Sequence, residues 1–152
     1  MMQVHWVLKT FEELTPHELY AVLQLRSAVF VVEQTCVFQD IDNNDQGSYH
    51  LMGFSDKTLV AYTRLLPPGL TYEQASIGRV VTAPAARRYG LGKALMQQSL
   101  YEVLKKFGAG PIKIGAQLYL KKFYESFGFK QTGAMYVEDG IEHIYMLRNA
   151  QP

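Results

Sequence analysis

The run from Ala75 to Phe107 constrains this chain more than any other stretch. Ala75 to Thr82 (ASIGRVVT) carries apolar, β-branched residues on both faces, the pattern of a strand buried in a sheet. A short loop leads into Arg87-Arg88-Tyr89-Gly90-Leu91-Gly92, and a helix is predicted over about 87–107 with its apolar stripe on Met96, Leu100, Val103, Leu104 and Phe107. Gly108 and Gly110 end it. Glycines at a strand-to-helix junction let backbone N–H groups approach a ligand, and a helix start supplies unsatisfied donors and partial positive charge. With Arg87, Arg88 and Lys93 alongside, the junction suits a phosphate or pyrophosphate. The GxxxxGK[ST] spacing of a P-loop and the three glycines of GxGxxG are both missing. The plainer alternative is a turn whose two glycines only lend flexibility.

The remaining pattern sets a fold around this junction. Met2 to Lys9 alternates weakly and reads as a strand. Thr15-Pro16-His17-Glu18 signals a helix start: Thr15 as N-cap, Pro16 at the first position, Glu18 closing a capping box, and Leu14 and Leu19 spaced for a hydrophobic staple. The stripe behind it runs through Leu19, Val22, Leu23, Val29 and Phe30, and Arg26 and Glu33 fall on the same face. Cys36 to Tyr49, rich in Asp, Asn and Gly, reads as a loop. Tyr49–Phe54 and Leu59–Leu66 form a hairpin about Ser55-Asp56-Lys57. Pro111–Ala116 is a strand and Leu118–Ser126 a short helix. Phe129–Tyr136 and His143–Leu147 are strands about Glu138-Asp139-Gly140. The order β, α, loop, β, β, β, α, β, α, β, β implies an α/β (α+β) chain with a mixed sheet covered by helices, one domain over 1–152.

Charge and composition narrow the function. Fifteen Lys+Arg against fourteen Asp+Glu, a net of +1, give no field suited to nucleic acid, so an anion must be held locally. No apolar run approaches the ~20 residues of a membrane span. The single Cys36 forms no internal disulfide, which fits a reducing cytoplasm. A chain of this length buries roughly 68–70% of its unfolded surface and needs no metal or disulfide staple.

Arg87-Arg88-Tyr89-Gly90-Leu91-Gly92 is similar to the Q/R-x-x-G-x-G/A acetyl-CoA-binding motif of the GNAT (GCN5-related N-acetyltransferase) superfamily, and Phe123-Tyr124-Glu125-Ser126-Phe127-Gly128-Phe129 resembles its FYxxxGF segment. The element order resembles the family's across nearly the whole chain. Arg26 to Gln34, Gln39-Asp40-Ile41-Asp42, His50 and Asp139 to Ile144 resemble the ElaA-type subgroup. The resemblance implies the GNAT fold, a central mixed, mostly antiparallel sheet flanked by helices, with fourth and fifth strands that splay apart. It implies acetyl-CoA as co-substrate and transfer of its acetyl group to an amine of a small molecule or peptide. Val80, Val81 and Thr82 would pair with the pantetheine arm, and the N–H groups from Arg88 to Lys93, including Tyr89, Gly90, Leu91 and Gly92, would hold the pyrophosphate. Where many members carry Asn before the FY pair, this chain has Gln117, whose longer amide would have to make the contact.

Amine attack on a thioester needs a proton acceptor and a donor for the departing thiolate. Tyr124 suits the donor, since a phenol with an ordinary pKa near ~10 is protonated at neutral pH. Alternatively it is a core residue, four positions after Leu120 on a short helix. Glu33, Asp42, His50 and His143 are the candidate bases. Glu33 and Arg26 share an apolar face and either line the acceptor pocket, with Phe30 and Asp42, or pair with other groups to order the helix and loop. His50 opens a strand expected beside the cofactor strand. Asp40, Asp42 and Asp45 do not make a calcium loop, because Asp45 and Leu51 stand where Gly and Glu are needed; they form a solvated loop or attract a cationic acceptor. No metal site and no covalent role for Cys36 is indicated. The exposed aromatics and Met of the terminal strands suit a homodimer. The rival function is a non-catalytic module that senses CoA thioesters.

Overall fold

The computed structural model describes residues 2–150. Its elements are β1 (His5–Thr10), α1 (Pro16–Arg26), β2 (Tyr49–Ser55), β3 (Thr58–Leu66), β4 (Ser76–Thr82), α2 (Leu91–Phe107), β5 (Ile112–Gln117), α3 (Lys121–Glu125), β6 (Lys130–Glu138) and β7 (Ile141–Arg148). The strands make two antiparallel sheets, ordered β1-β2-β3-β4 and β5-β7-β6. Among the described residues they meet at one parallel bridge, Ala75 to Ile112, with Lys113 N–H donating to the Ala75 carbonyl at 3.0 Å. Beyond that bridge β4 and β5 part, and the gap between them is a cleft.

Local signals placed most elements. Thr15 Oγ1 accepts from the Glu18 N–H at 3.1 Å and Glu18 Oε1 from the Thr15 N–H at 2.8 Å, the reciprocal cap that starts α1. Asp56 and Lys57 both take positive φ, the geometry of a two-residue hairpin turn. Met52, Tyr62 and Val81, cross-strand neighbours in register, form the face that packs on Val22, Leu25 and Val29 of the α1 segment. The opposite face carries Leu51, Ala61 and Ile77 toward α2.

Two departures from the sequence pattern matter for the site. The helix from α1 continues as π-turns over Ser27–Glu33, with Gln34 N–H bonding to the Val29 carbonyl at 3.2 Å. The wider winding carries the end of the stripe out of the core, so Arg26 is wholly buried whereas Glu33 lies at the surface, its side chain 40% exposed. The helix expected from Arg87 begins later: Pro84–Tyr89 is a 3₁₀ segment, Gly90 turns through φ +65°, and α2 starts at Leu91. Arg87 and Arg88 therefore precede the helix, and the amides at its start are those of Leu91, Gly92 and Lys93.

Candidate active site

The cleft between β4 and β5 has a volume of about 620 Å³. One wall is Ile77 to Thr82 of β4, the other Ile114 to Gln117 of β5, and Gly92 at the start of α2 and Tyr124 of α3 lie between them. Gly92 lies at the helix mouth, where an added Cβ would meet Phe123 Cζ at 3.8 Å. Of the residues expected at a cofactor site, Val80, Val81, Thr82, Arg87, Gly92, Gln117 and Tyr124 all line this one cleft. Arg88, Tyr89 and Lys93 point to solvent, and Gly90 sets the turn that aims α2 at the cleft.

Tyr124 is 6% exposed and packs edge-on against Phe123 and Phe129, with ring centroids 5.2 and 6.1 Å away. Burial pushes its phenol well above the usual range. Among the described residues its hydroxyl makes no hydrogen bond, so the core role and the site role coincide: a packed ring with an uncommitted O–H on the cleft. Gln117 donates to Gln34 Oε1 at 3.3 Å, and Glu33 accepts a two-pronged bond from Arg87 at 2.7 and 2.9 Å. Residues 33 and 34 thus touch both rims of the cleft. Hydrogen bonding to Arg87 holds the Glu33 carboxyl below its ordinary value. Glu33 therefore lines the cleft as a partly exposed carboxylate paired to Arg87.

The two histidines separate clearly. His50 is fully buried and β3 lies between its strand and β4, so it does not reach the cofactor strand. Its Nε2–H donates to the Asp45 carbonyl at 2.9 Å, which leaves Nδ1 to accept from Tyr62 Oη at 2.7 Å. Burial lowers its pKa, and the ring is a neutral structural bridge away from the cleft. His143 pairs in register with Gln117 and lines the cleft. Its Nδ1–H donates to the Ile141 carbonyl at 2.7 Å, so the neutral ring keeps its lone pair on Nε2, 3.9 Å from Glu138 Oε2.

The loop from Cys36 to Ser48 is not the solvated acidic segment its composition suggests. Asp40 and Asp45 are buried, and Arg26 binds both, at 2.9 Å through Nε and 2.8 Å through Nη1. Arg64 reaches Asp45 at 3.0 Å and takes Asp42 in its fork. Burial acts to raise the carboxyls of Asp42 and Asp45, but bonds from Arg64 to the first and from Arg26 to the second override it and hold both below the usual carboxylate range. Arg26 and Asp42 belong to a largely buried ion network on the α1 face of the sheet and neither lines the cleft; Phe30 does. Sequence reasoning missed Phe38, Arg79 and Gln34, all on the cleft. The only local hint was Arg79 itself, a charge inside an otherwise apolar buried strand.

Two antiparallel sheets that splay beside a glycine-started helix define an acyl-CoA N-acyltransferase fold. Residues 13–149 match the family model described as an acetyltransferase (GNAT) domain, and the chain belongs to the GNAT family. It is 42% identical over 147 residues to the protein ElaA of Escherichia coli K12, covering 95% of this chain and 96% of that one. The crystal structure of E. coli ElaA superposes with a TM-score of 0.90 at 41% identity, over 97% of this chain and 100% of the other. An acyl-CoA N-acyltransferase from Pseudomonas aeruginosa gives a TM-score of 0.92 at 42% identity, over 96% and 99%.

Proposed function

We propose that the chain is an acetyl-CoA-dependent N-acetyltransferase acting on an amine of a small molecule or peptide. What carries this reading is the convergence on one cleft of an open strand edge, a helix N-terminus and a buried uncommitted phenol. The pantetheine arm would lie along Val80, Val81 and Thr82 as an added strand. The pyrophosphate would take the amides of Leu91, Gly92 and Lys93, with Arg87 supplying charge and Gln117 an amide contact. The amine lone pair attacks the thioester carbonyl carbon, the C–S bond breaks, and the thiolate takes its proton from Tyr124. His143 Nε2 receives the amine proton, with the Glu138 carboxylate 3.9 Å away. With His50 buried and Glu33 and Asp42 each paired to an arginine, His143 is the base this geometry favours.

Free-thiol release from acetyl-CoA over a panel of primary amines tests this. Wild type should turn over at least one amine, and His143→Gln should lower kcat by about 10²-fold. Binding of acetyl-CoA without turnover on any amine would favour a non-catalytic CoA-thioester-binding module instead.

A further inference from the structure

β4 is not a regular strand. Between the pairs Tyr62–Val81 and Arg64–Gly78 the register gains one residue on β4, so Arg79 and Val80 together pass opposite Thr63. Arg79 sits at φ +48°, the left-handed region that side chains other than glycine's rarely adopt. The extra residue changes which face each side chain takes: Ile77 packs toward α2, whereas Val81, of the same parity, packs against α1. Such a conformation persists only where its surroundings hold it.

The side chain of Arg79 is what is held. Its Nε lies 2.7 Å from Asp40 Oδ1, and its Nη2 donates to the Asp40 carbonyl at 2.9 Å and lies 3.4 Å from Asp42 Oδ2. The Phe38 ring lies 5.7 Å from the guanidinium carbon. Asp40 is fixed in turn by the wholly buried Arg26, which bonds both its carboxylate and its carbonyl. A chain of charge-assisted bonds therefore runs from α1 through the loop to the bulge, and the bulge lines the cleft opposite Ile114 to Gln117.

We propose that Arg79, clamped by Asp40 and Asp42, is a positioning residue that fixes the β4 bulge where the acyl end of the thioester lies, an inference that rests on the cleft reading above. The ion network on the α1 face is thereby tied to the reaction without touching substrate. Arg79→Ala and Arg79→Gly test it, because glycine takes the left-handed conformation unaided and keeps the bulge while losing the clamp. With an amine that wild type uses, Arg79→Ala should lower kcat about 10²-fold while KM for acetyl-CoA stays within about threefold, and Arg79→Gly should regain about tenfold. An Arg79→Ala protein with a lowered unfolding midpoint but unchanged kcat, or an Arg79→Gly protein no better than Arg79→Ala, overturns the proposal. If wild type uses no amine, the enzyme reading fails on its own. The clamp is then read from calorimetric affinities for acetyl-CoA and CoA. Wild type and Arg79→Gly should prefer acetyl-CoA and Arg79→Ala should not; the same ratio in all three overturns it.

Discussion

Tyr124→Phe is expected to lower kcat by 10²-fold or more while leaving the affinity for acetyl-CoA within about threefold. The ring packs between Phe123 and Phe129, and phenylalanine keeps that packing, so fold and cleft shape are preserved. Only the hydroxyl goes, and among the described residues it serves no hydrogen bond in the free protein. Burial raises its pKa, which keeps it protonated through neutral pH as a donor to the thiolate must be. Stopped-flow or steady-state thiol release beside calorimetric binding separates the two effects. A kcat within threefold of wild type would remove Tyr124 from the chemistry and leave it a core residue.

The second large effect is on stability. Arg26→Met is expected to destabilise the fold by about 3–5 kcal/mol, because it removes the cation between two buried carboxylates. Urea unfolding at pH 7 measures this, and a loss under about 1 kcal/mol would show that the network contributes little to folding. The wild-type protein should also lose stability in acid, in two stages. His50 has a folded pKa below its unfolded value near ~6.5, so its unfolded form binds more protons and stability falls as pH drops below about 6.5. Asp42 and Asp45 have depressed folded pKa values, so their contribution is complete above the unfolded pKa of about 3.9 and is lost as pH falls below it. An unfolding midpoint flat from pH 7 to pH 3 contradicts both.

What the sequence disclosed and what it hid follow from range. The cap of α1 was legible because its reciprocal bonds join residues only three apart, Thr15 and Glu18, and the glycine junction because Gly90 must turn where a strand meets a helix. The burial of Arg26 was legible from its place on an apolar stripe, but its partners, 14 and 19 residues away, were not. The loop therefore read as solvated although Asp40 and Asp45 are buried within it. The exposure of Glu33 was hidden because α-helical spacing does not carry through the π-turns that precede it. His50 was misplaced because strand order is a tertiary property, and β3 separates β2 from β4. The bulge at Arg79 was hidden because a register shift belongs to a strand pair and not to either strand's residues. In His143, the lone pair left on Nε2 depends on the bond its Nδ1–H gives the Ile141 carbonyl two residues earlier, which residue types alone do not announce.

The central claim is that a CoA thioester lies in the gap between β4 and β5, headed by α2. Amide hydrogen exchange with and without saturating acetyl-CoA tests it most directly. Protection should concentrate on 76–93 and 112–124, the walls and head of the cleft, and leave β1 and the outer part of β6 unchanged. Protection absent from both segments, or centred on another face of the molecule, would contradict the account.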